Sequence, residues 1–256
     1  MFGLLGLQSV VFFDSFSYVF AGVMILCIVL PIGKAALSKS PSSQRVSLAF
    51  HLWRELLDGF KLMSKVRSIS ALFMVVGVWM IGEGIGRAVI VPFLSGVAHG
   101  NALVFSWILT AQGVGGILGA LLFPRVNKLL SMAHLISFSS LAIGVIGFLE
   151  VTFPVLPVIF PLSALVGMPV VFFSIGVYTL LQQNTTDQYR GRVFGAYYND
   201  NTLLLLVGMT FSSILASFIG IRSTLYLWGL FYFLSGVVTF VLLRPGFLKG
   251  KAIADG

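Results

Sequence analysis

Long apolar blocks separated by short polar turns set the pattern of this chain. Seven blocks, at 10–32, 70–93, 102–123, 132–151, 153–181, 193–219 and 224–243, are long enough to cross a bilayer, for which about 20 apolar residues suffice. None shows the alternating pattern over about ten residues that a membrane β-barrel strand carries. Helices are the other way to satisfy every backbone polar group in lipid. The predicted fold class is therefore an all-α polytopic membrane protein with seven transmembrane helices. Short connections predict that consecutive helices pack as antiparallel neighbours. The organisation expected is a single helix within 1–33, a polar loop at 34–69, a six-helix bundle at 70–243 and a tail at 244–256.

The polar loop has two parts. Ser38-Lys39-Ser40-Pro41-Ser42-Ser43-Gln44 reads as linker. Beyond it, Phe50, Trp53, Leu57, Phe60 and Met63 recur at helical spacing, with Arg54, Asp58, Lys61 and Lys65 between them. That pattern predicts an amphipathic helix on the membrane surface.

Composition agrees with the spans. The chain is 58% hydrophobic and 9% charged over 256 residues, where a soluble domain carries about a quarter charged residues. The net charge of +8 does not point to nucleic acid, because the basic residues sit in loops. Seven of the sixteen lie between Lys34 and Arg67. Beyond that loop, basic and basic-free connections alternate: Arg125 and Lys128, then Arg190 and Arg192, then Arg244, Lys249 and Lys251, with Arg222 as the lone exception. By the positive-inside rule the long loop and the C-terminus are cytoplasmic and the N-terminus is outside. Residues 1–33 hold no Lys or Arg, so they are not a signal peptide. Cys27 is the single cysteine, so no intrachain disulfide forms. His51, His99 and His134 have no ligand spacing, and no metal or cofactor is expected. No nucleophile elbow, metalloprotease helix or phosphate-binding loop is present, which argues against an enzyme.

Candidate chemistry lies where polar residues interrupt the spans. Gly82-Glu83-Gly84-Ile85-Gly86-Arg87 sets two opposite charges inside 70–93. Ionisable residues at that depth are costly and mark a substrate or ion pathway by default. Glu83 and Arg87 are four apart, so they share a helix face and can pair, either as a coupling site or as an internal clamp. Tyr197-Tyr198-Asn199-Asp200-Asn201-Thr202 is a second polar insertion. Asp200, about 12 Å along a helix from Arg192, either meets a cationic solute or a proton, or bonds its Asn and Tyr neighbours. Gln112 and Thr110 offer polar contacts on the third span, and Asp14 lies near the outer end of the first. Gly113, Gly116 and Gly119, with Gly115 beside them, leave a bare stripe for close helix packing or sliding. Pro154, Pro157, Pro161 and Pro169 should loosen the fifth span.

Several stretches together carry a resemblance. The run from Gln182 to Gly195, with Asp187, Arg190, Gly191, Arg192 and Val193 in a D-x-x-R-G-R-V-x-G pattern, resembles a cytoplasmic loop of bacterial drug-exporter-like members of the major facilitator superfamily. The Gly-rich run Ala111 to Leu122 looks like the same family's helix leading into a basic turn. Phe13-Asp14-Ser15-Phe16-Ser17-Tyr18 is similar to the start of its last N-domain helix, and Trp53 to Ala71 to its central loop. The resemblance implies twelve helices in two six-helix bundles, of which this chain supplies the sixth to twelfth. An N-terminal half would then be missing.

What it implies functionally is secondary active, proton-coupled efflux of small amphipathic solutes by alternating access in the cell membrane. The partners are the bilayer, the solute and the proton. Glu83, Arg87, Asp200, Asn199 and Gln112 are the residues expected at substrate or proton coupling. Asp187, Arg190, Gly191 and Arg192, with the 113/116/119 glycines, are expected at structural or gating contacts, with positive-inside anchoring by the two arginines as the alternative and Gly191 permitting a tight turn. Two other readings stand beside this one. A seven-helix receptor fits the span count, but the last span lacks a Lys for a retinal Schiff base and the loops are short. A non-transporting portion that needs a partner half is the other.

Overall fold

A computed structural model describes residues 12, 14–24, 67–96, 102–187 and 189–243. The chain divides into two units, Met1–His51 and Leu52–Gly256. In the first, 14–24 is helical. Ser17 Oγ donates to the Asp14 carbonyl at 2.7 Å, and the Phe16 and Phe20 rings stack at 6.5 Å. The rest of the first predicted span, the amphipathic segment and the tail lie outside the described residues.

The second unit holds six helices: α1 Arg67–Gly96, α2 Ala102–Leu129, α3 Met132–Thr152, α4 Leu156–Gln183, α5 Arg190–Ile219 and α6 Ile221–Leu242. All six are long and apolar enough to cross a membrane. Five of the six run longer than the apolar blocks because they continue into the polar turns, while α4 starts three residues later than its block. Prolines set some limits. Pro154 falls in the break between α3 and α4, and Pro157 occupies the first turn of α4, where its missing N–H has no intrahelical partner to lose. Pro161 and Pro169 remain inside α4. Between α5 and α6 the break shrinks to Gly220, whose φ of 82° only glycine adopts readily. Arg222, expected in a loop, therefore lies in the first turn of α6.

Neighbour order departs from the prediction. The helices pack in the spatial series α2–α4–α3–α6–α1–α5, so α1 and α2, α2 and α3, and α4 and α5 are not principal partners although consecutive. Short turns bring helix ends together, but side-chain size decides which faces close. Glycine and serine set those faces. A Cβ on Gly144 of α3 would lie 2.8 Å from Phe233 N and 2.9 Å from Gly229 O of α6. Ser137 Oγ donates to Gly236 O at 2.7 Å across the same seam. Ser235 Oγ ties α6 to Val75 O of α1 (3.0 Å), and Ser212 Oγ ties α5 to Ile85 O of α1 (3.0 Å).

Two apolar cores result. One gathers Leu72, Val76, Ile136, Val177, Leu181 and Val193 toward the ends where α4 stops and α5 starts. The other gathers Val89, Phe93, Ile108, Ile159 and Leu225 at the opposite end. Glu83 and Arg87 fall between them.

Candidate functional site

Helical geometry turns the interleaved glycines and charges of α1 to different sides. A Cβ on Gly82 would meet Phe231 Cβ of α6 at 2.9 Å, and one on Gly86 would meet the Trp228 indole nitrogen at 2.6 Å. A Cβ on Gly84 would strike the α5 backbone, with Gly208 Cα at 2.9 Å and Met209 N at 2.8 Å. Gly82 and Gly86 thus admit α6, and Gly84 admits α5. Glu83 and Arg87 project between the two contacts.

Their partners complete a three-residue cluster. Arg87 Nε donates to Glu83 Oε1 at 2.7 Å. Tyr232 Oη, from α6, donates to Glu83 Oε2. Tyr232 is buried at 2% exposure. Its ring meets Trp79 edge-on at 4.5 Å and Trp228 at 5.5 Å, and Trp79 stacks on Phe173 at 3.5 Å. Trp228 in turn sits over Gly86 and Gly147, where added Cβ atoms would collide with the indole. The phenol is therefore held in place by aromatic packing, and the carboxylate is held by the phenol.

A cavity of about 260 Å³ opens beside this cluster and takes side chains from all six helices. Its polar wall is Glu83, Arg87, Gln112, Ser174, Asn201 and Thr202, and its apolar wall includes Trp79, Met80, Val170 and Trp228. Asn201 Oδ1 is buried without a hydrogen-bond partner.

Of the residues singled out in the sequence, Glu83, Arg87 and Gln112 line this cavity and come from two helices. Asp200 and Asn199 do not line it. Both are half-buried, and the cavity takes Asn201 and Thr202 from the same polar run instead. Asp187 and Arg190 form an ion pair of 2.8 Å at the start of α5, with the Asp187 side chain 89% exposed. Arg192 is exposed in the first turn of α5. Gly191 is a correction: it sits in the first turn of α5 with no positive φ and open space around it, so it serves no tight turn. On α2, Gly115 and Gly119 carry the closest approach to α4, a Cβ on Gly119 lying 2.8 Å from Met168 Cα. Gly116 is less tight at 3.3 Å from Val171, and Gly113 faces open space.

Sequence reasoning missed Tyr232, Trp79, Trp228, Asn201 and Thr202. Tyr232 is 149 residues from Glu83 and carried no local signal. Trp79 carried one, since it stands four residues before Glu83 and so on the same face. Also missed was Glu150, which accepts from Ser163 Oγ at 2.9 Å between α3 and α4.

Comparison with known proteins adds an independent line. No family model matches the chain. It is 27% identical over 176 residues to the Staphyloferrin A transporter of Staphylococcus aureus (strain NCTC 8325 / PS 47), covering 68% of this chain and 43% of that protein. It is 31% identical over 140 residues to the Multidrug efflux pump Tap of Mycolicibacterium fortuitum, covering 54% and 34%. Both relatives are named as transport proteins, one a transporter and one an efflux pump. That agrees with the resemblance carried by residues 182–195 and 111–122. The matched portions span less than half the length of either relative. The relatives are transporters rather than enzymes.

Proposed function

We propose that this chain is the C-terminal portion of a secondary active, proton-coupled exporter of small amphipathic solutes that works by alternating access. The observation that supports this reading best is the Glu83–Arg87–Tyr232 cluster beside an open cavity. The pair sits at mid-depth of α1, Glu83 within two residues of its centre and Arg87 about 6 Å further on. Arg87 remains 60% exposed and Glu83 29% exposed. Charges at that depth do not face hydrocarbon; they face a wet cavity or another protein surface. The flanking helices α2 and α5 are the least buried of the six. They expose Trp107, Ile117 and Leu121 on one and Leu206, Phe211 and Phe218 on the other. A cavity-bearing face of this kind suits one half of a two-bundle transporter, whose solute sits at the bundle interface. In that arrangement the long loop and C-terminus are cytoplasmic, the missing half is an N-terminal bundle, and Glu83 is the proton-coupling carboxylate with Arg87 and Tyr232 as its partners.

Everted membrane vesicles test it. In a full-length homologue at matched expression, the change equivalent to Glu83→Gln should abolish solute movement driven by a pH gradient. Retained efflux would remove Glu83 from the mechanism. Asp187 and Arg190 are assigned a conformational contact in the same cycle, made in the state seen here and broken in the other.

A further inference from the structure

The charges of the cavity also carry information about what it holds. Glu83 is already engaged: each carboxylate oxygen accepts a hydrogen bond from the protein, Oε1 from Arg87 and Oε2 from Tyr232. Arg87 is not. Only its Nε–H is used, and the four N–H groups on its terminal nitrogens have no partner among the described residues. A guanidinium presents those groups as a planar fork that matches a carboxylate. The open end of the charged pair is therefore its positive end. Around it, Gln112 and Thr202 supply neutral polar groups, while Trp79, Trp228 and Met80 supply apolar surface.

We propose that the cavity binds the carboxylate end of an amphipathic acid on the terminal nitrogens of Arg87, with Glu83 orienting the guanidinium and not meeting the solute. This rests on reading the cavity as a transport site and narrows its solute class. Glu83 is then a positioning residue for binding, and its negative charge opposes that of the incoming acid. Removing that charge should strengthen acid binding even where it abolishes coupling.

The test uses the full chain in detergent micelles and three probes with one apolar body: 4-phenylbutyrate, its neutral amide and 4-phenylbutylammonium. Quenching of tryptophan fluorescence reads binding, because Trp79 and Trp228 line the cavity. The acid should bind at least about tenfold more tightly than the amide or the amine, as a charge-assisted bidentate contact allows. Arg87→Gln should erase that preference, and Arg87→Lys should keep part of it. Glu83→Gln should tighten the acid several-fold. A thermal melt of each variant confirms folding, and Arg87→Lys keeps the test valid if the neutral variant does not fold. Equal binding of the three probes, binding of none, preference for the amine, or weaker acid binding in Glu83→Gln would each overturn the assignment. Pyrophosphate in place of the acid separates carboxylate recognition from general anion binding, and tighter binding of pyrophosphate would overturn it too. Failure of the two readings can be told apart. Acid binding by this chain with no pH-driven flux in a full-length homologue sinks the transport reading alone. Flux of amine or amide without acid preference sinks the solute class alone.

Discussion

Tyr232→Phe isolates one contact of the cluster. The substitution deletes the hydroxyl that donates to Glu83 Oε2 and leaves the ring in its slot between Trp79 and Trp228, at 4.5 and 5.5 Å. No cavity larger than one oxygen forms, so packing loss is small. A hydrogen bond to a charged group contributes about 1.5–3 kcal/mol. Glu83 is 29% exposed, so water partly replaces the lost donor and the lower end, about 1.5 kcal/mol, is expected. Unfolding by SDS in mixed micelles measures this with a helical reference state. The decisive measurement is the double-mutant cycle with Glu83→Gln. If Tyr232 acts on the carboxylate, the two changes should be coupled by about 1 kcal/mol. Additivity within about 0.3–0.5 kcal/mol would show that the phenol does not act through Glu83.

Other substitutions follow from the packing. Gly84→Ala forces a Cβ against α5 backbone that cannot rotate away, and should cost about 1–3 kcal/mol in the same unfolding assay. Gly113→Ala meets open space and should be neutral or stabilising by up to about 1 kcal/mol; equal behaviour of the two variants would refute the packing argument. Arg222 donates from Nε to Val151 O at 3.2 Å and from a terminal nitrogen to Thr152 O at 3.0 Å. It thus caps the negative end of α3, and Arg222→Gln should destabilise by about 1 kcal/mol. Asp187→Asn removes an exposed pair and should change stability by less than about 0.5 kcal/mol, yet slow solute flux in vesicles; unchanged flux would confine Asp187 to a surface role.

The span pattern was legible because lipid imposes it locally. About 20 apolar residues and a loop charge suffice to place a helix, and all six helices of the bundle coincide with predicted blocks. Which helices touch was not legible. That depends on where glycines on separate helices meet, as Gly84 meets Gly208 and Gly115 meets Gly167. No spacing within one segment reveals such a meeting. The site divided the same way. Glu83 and Arg87 announced themselves through their cost in a span and their four-residue interval. Tyr232 is a common enough residue in an apolar helix, and only the α1–α6 contact gives it a role. On α5 the polar run was visible, but its helical phase was not. A shift of one and two residues turned attention from Asp200 to Asn201 and Thr202. Arg222 broke the loop-charge alternation because its work is local, at the end of α3.

The spacing of Gly82, Glu83, Gly84, Gly86 and Arg87 solves two problems with one turn and a half of helix. At about 100° per residue, Gly82 and Gly86 lie about 40° apart on one side, Glu83 and Arg87 follow at about 100° and 140°, and Gly84 falls near 200°. The charged pair therefore bisects two glycine faces. On each face the missing side chain lets a neighbour approach, α6 on one and α5 on the other. Close approach by α6 is what brings Tyr232 within reach of a short carboxylate side chain. Bulky residues at 82 or 86 would hold α6 away, and Glu83 would lose its second donor while still half-buried at mid-depth. The glycines thus act on the chemistry of Glu83 through helix distance. Gly86→Ala, which drives a Cβ into Trp228, should consequently weaken the Tyr232–Glu83 coupling in the double-mutant cycle, and should do so without touching either residue. A full coupling energy retained in the Gly86→Ala background would break the link between helix approach and the site.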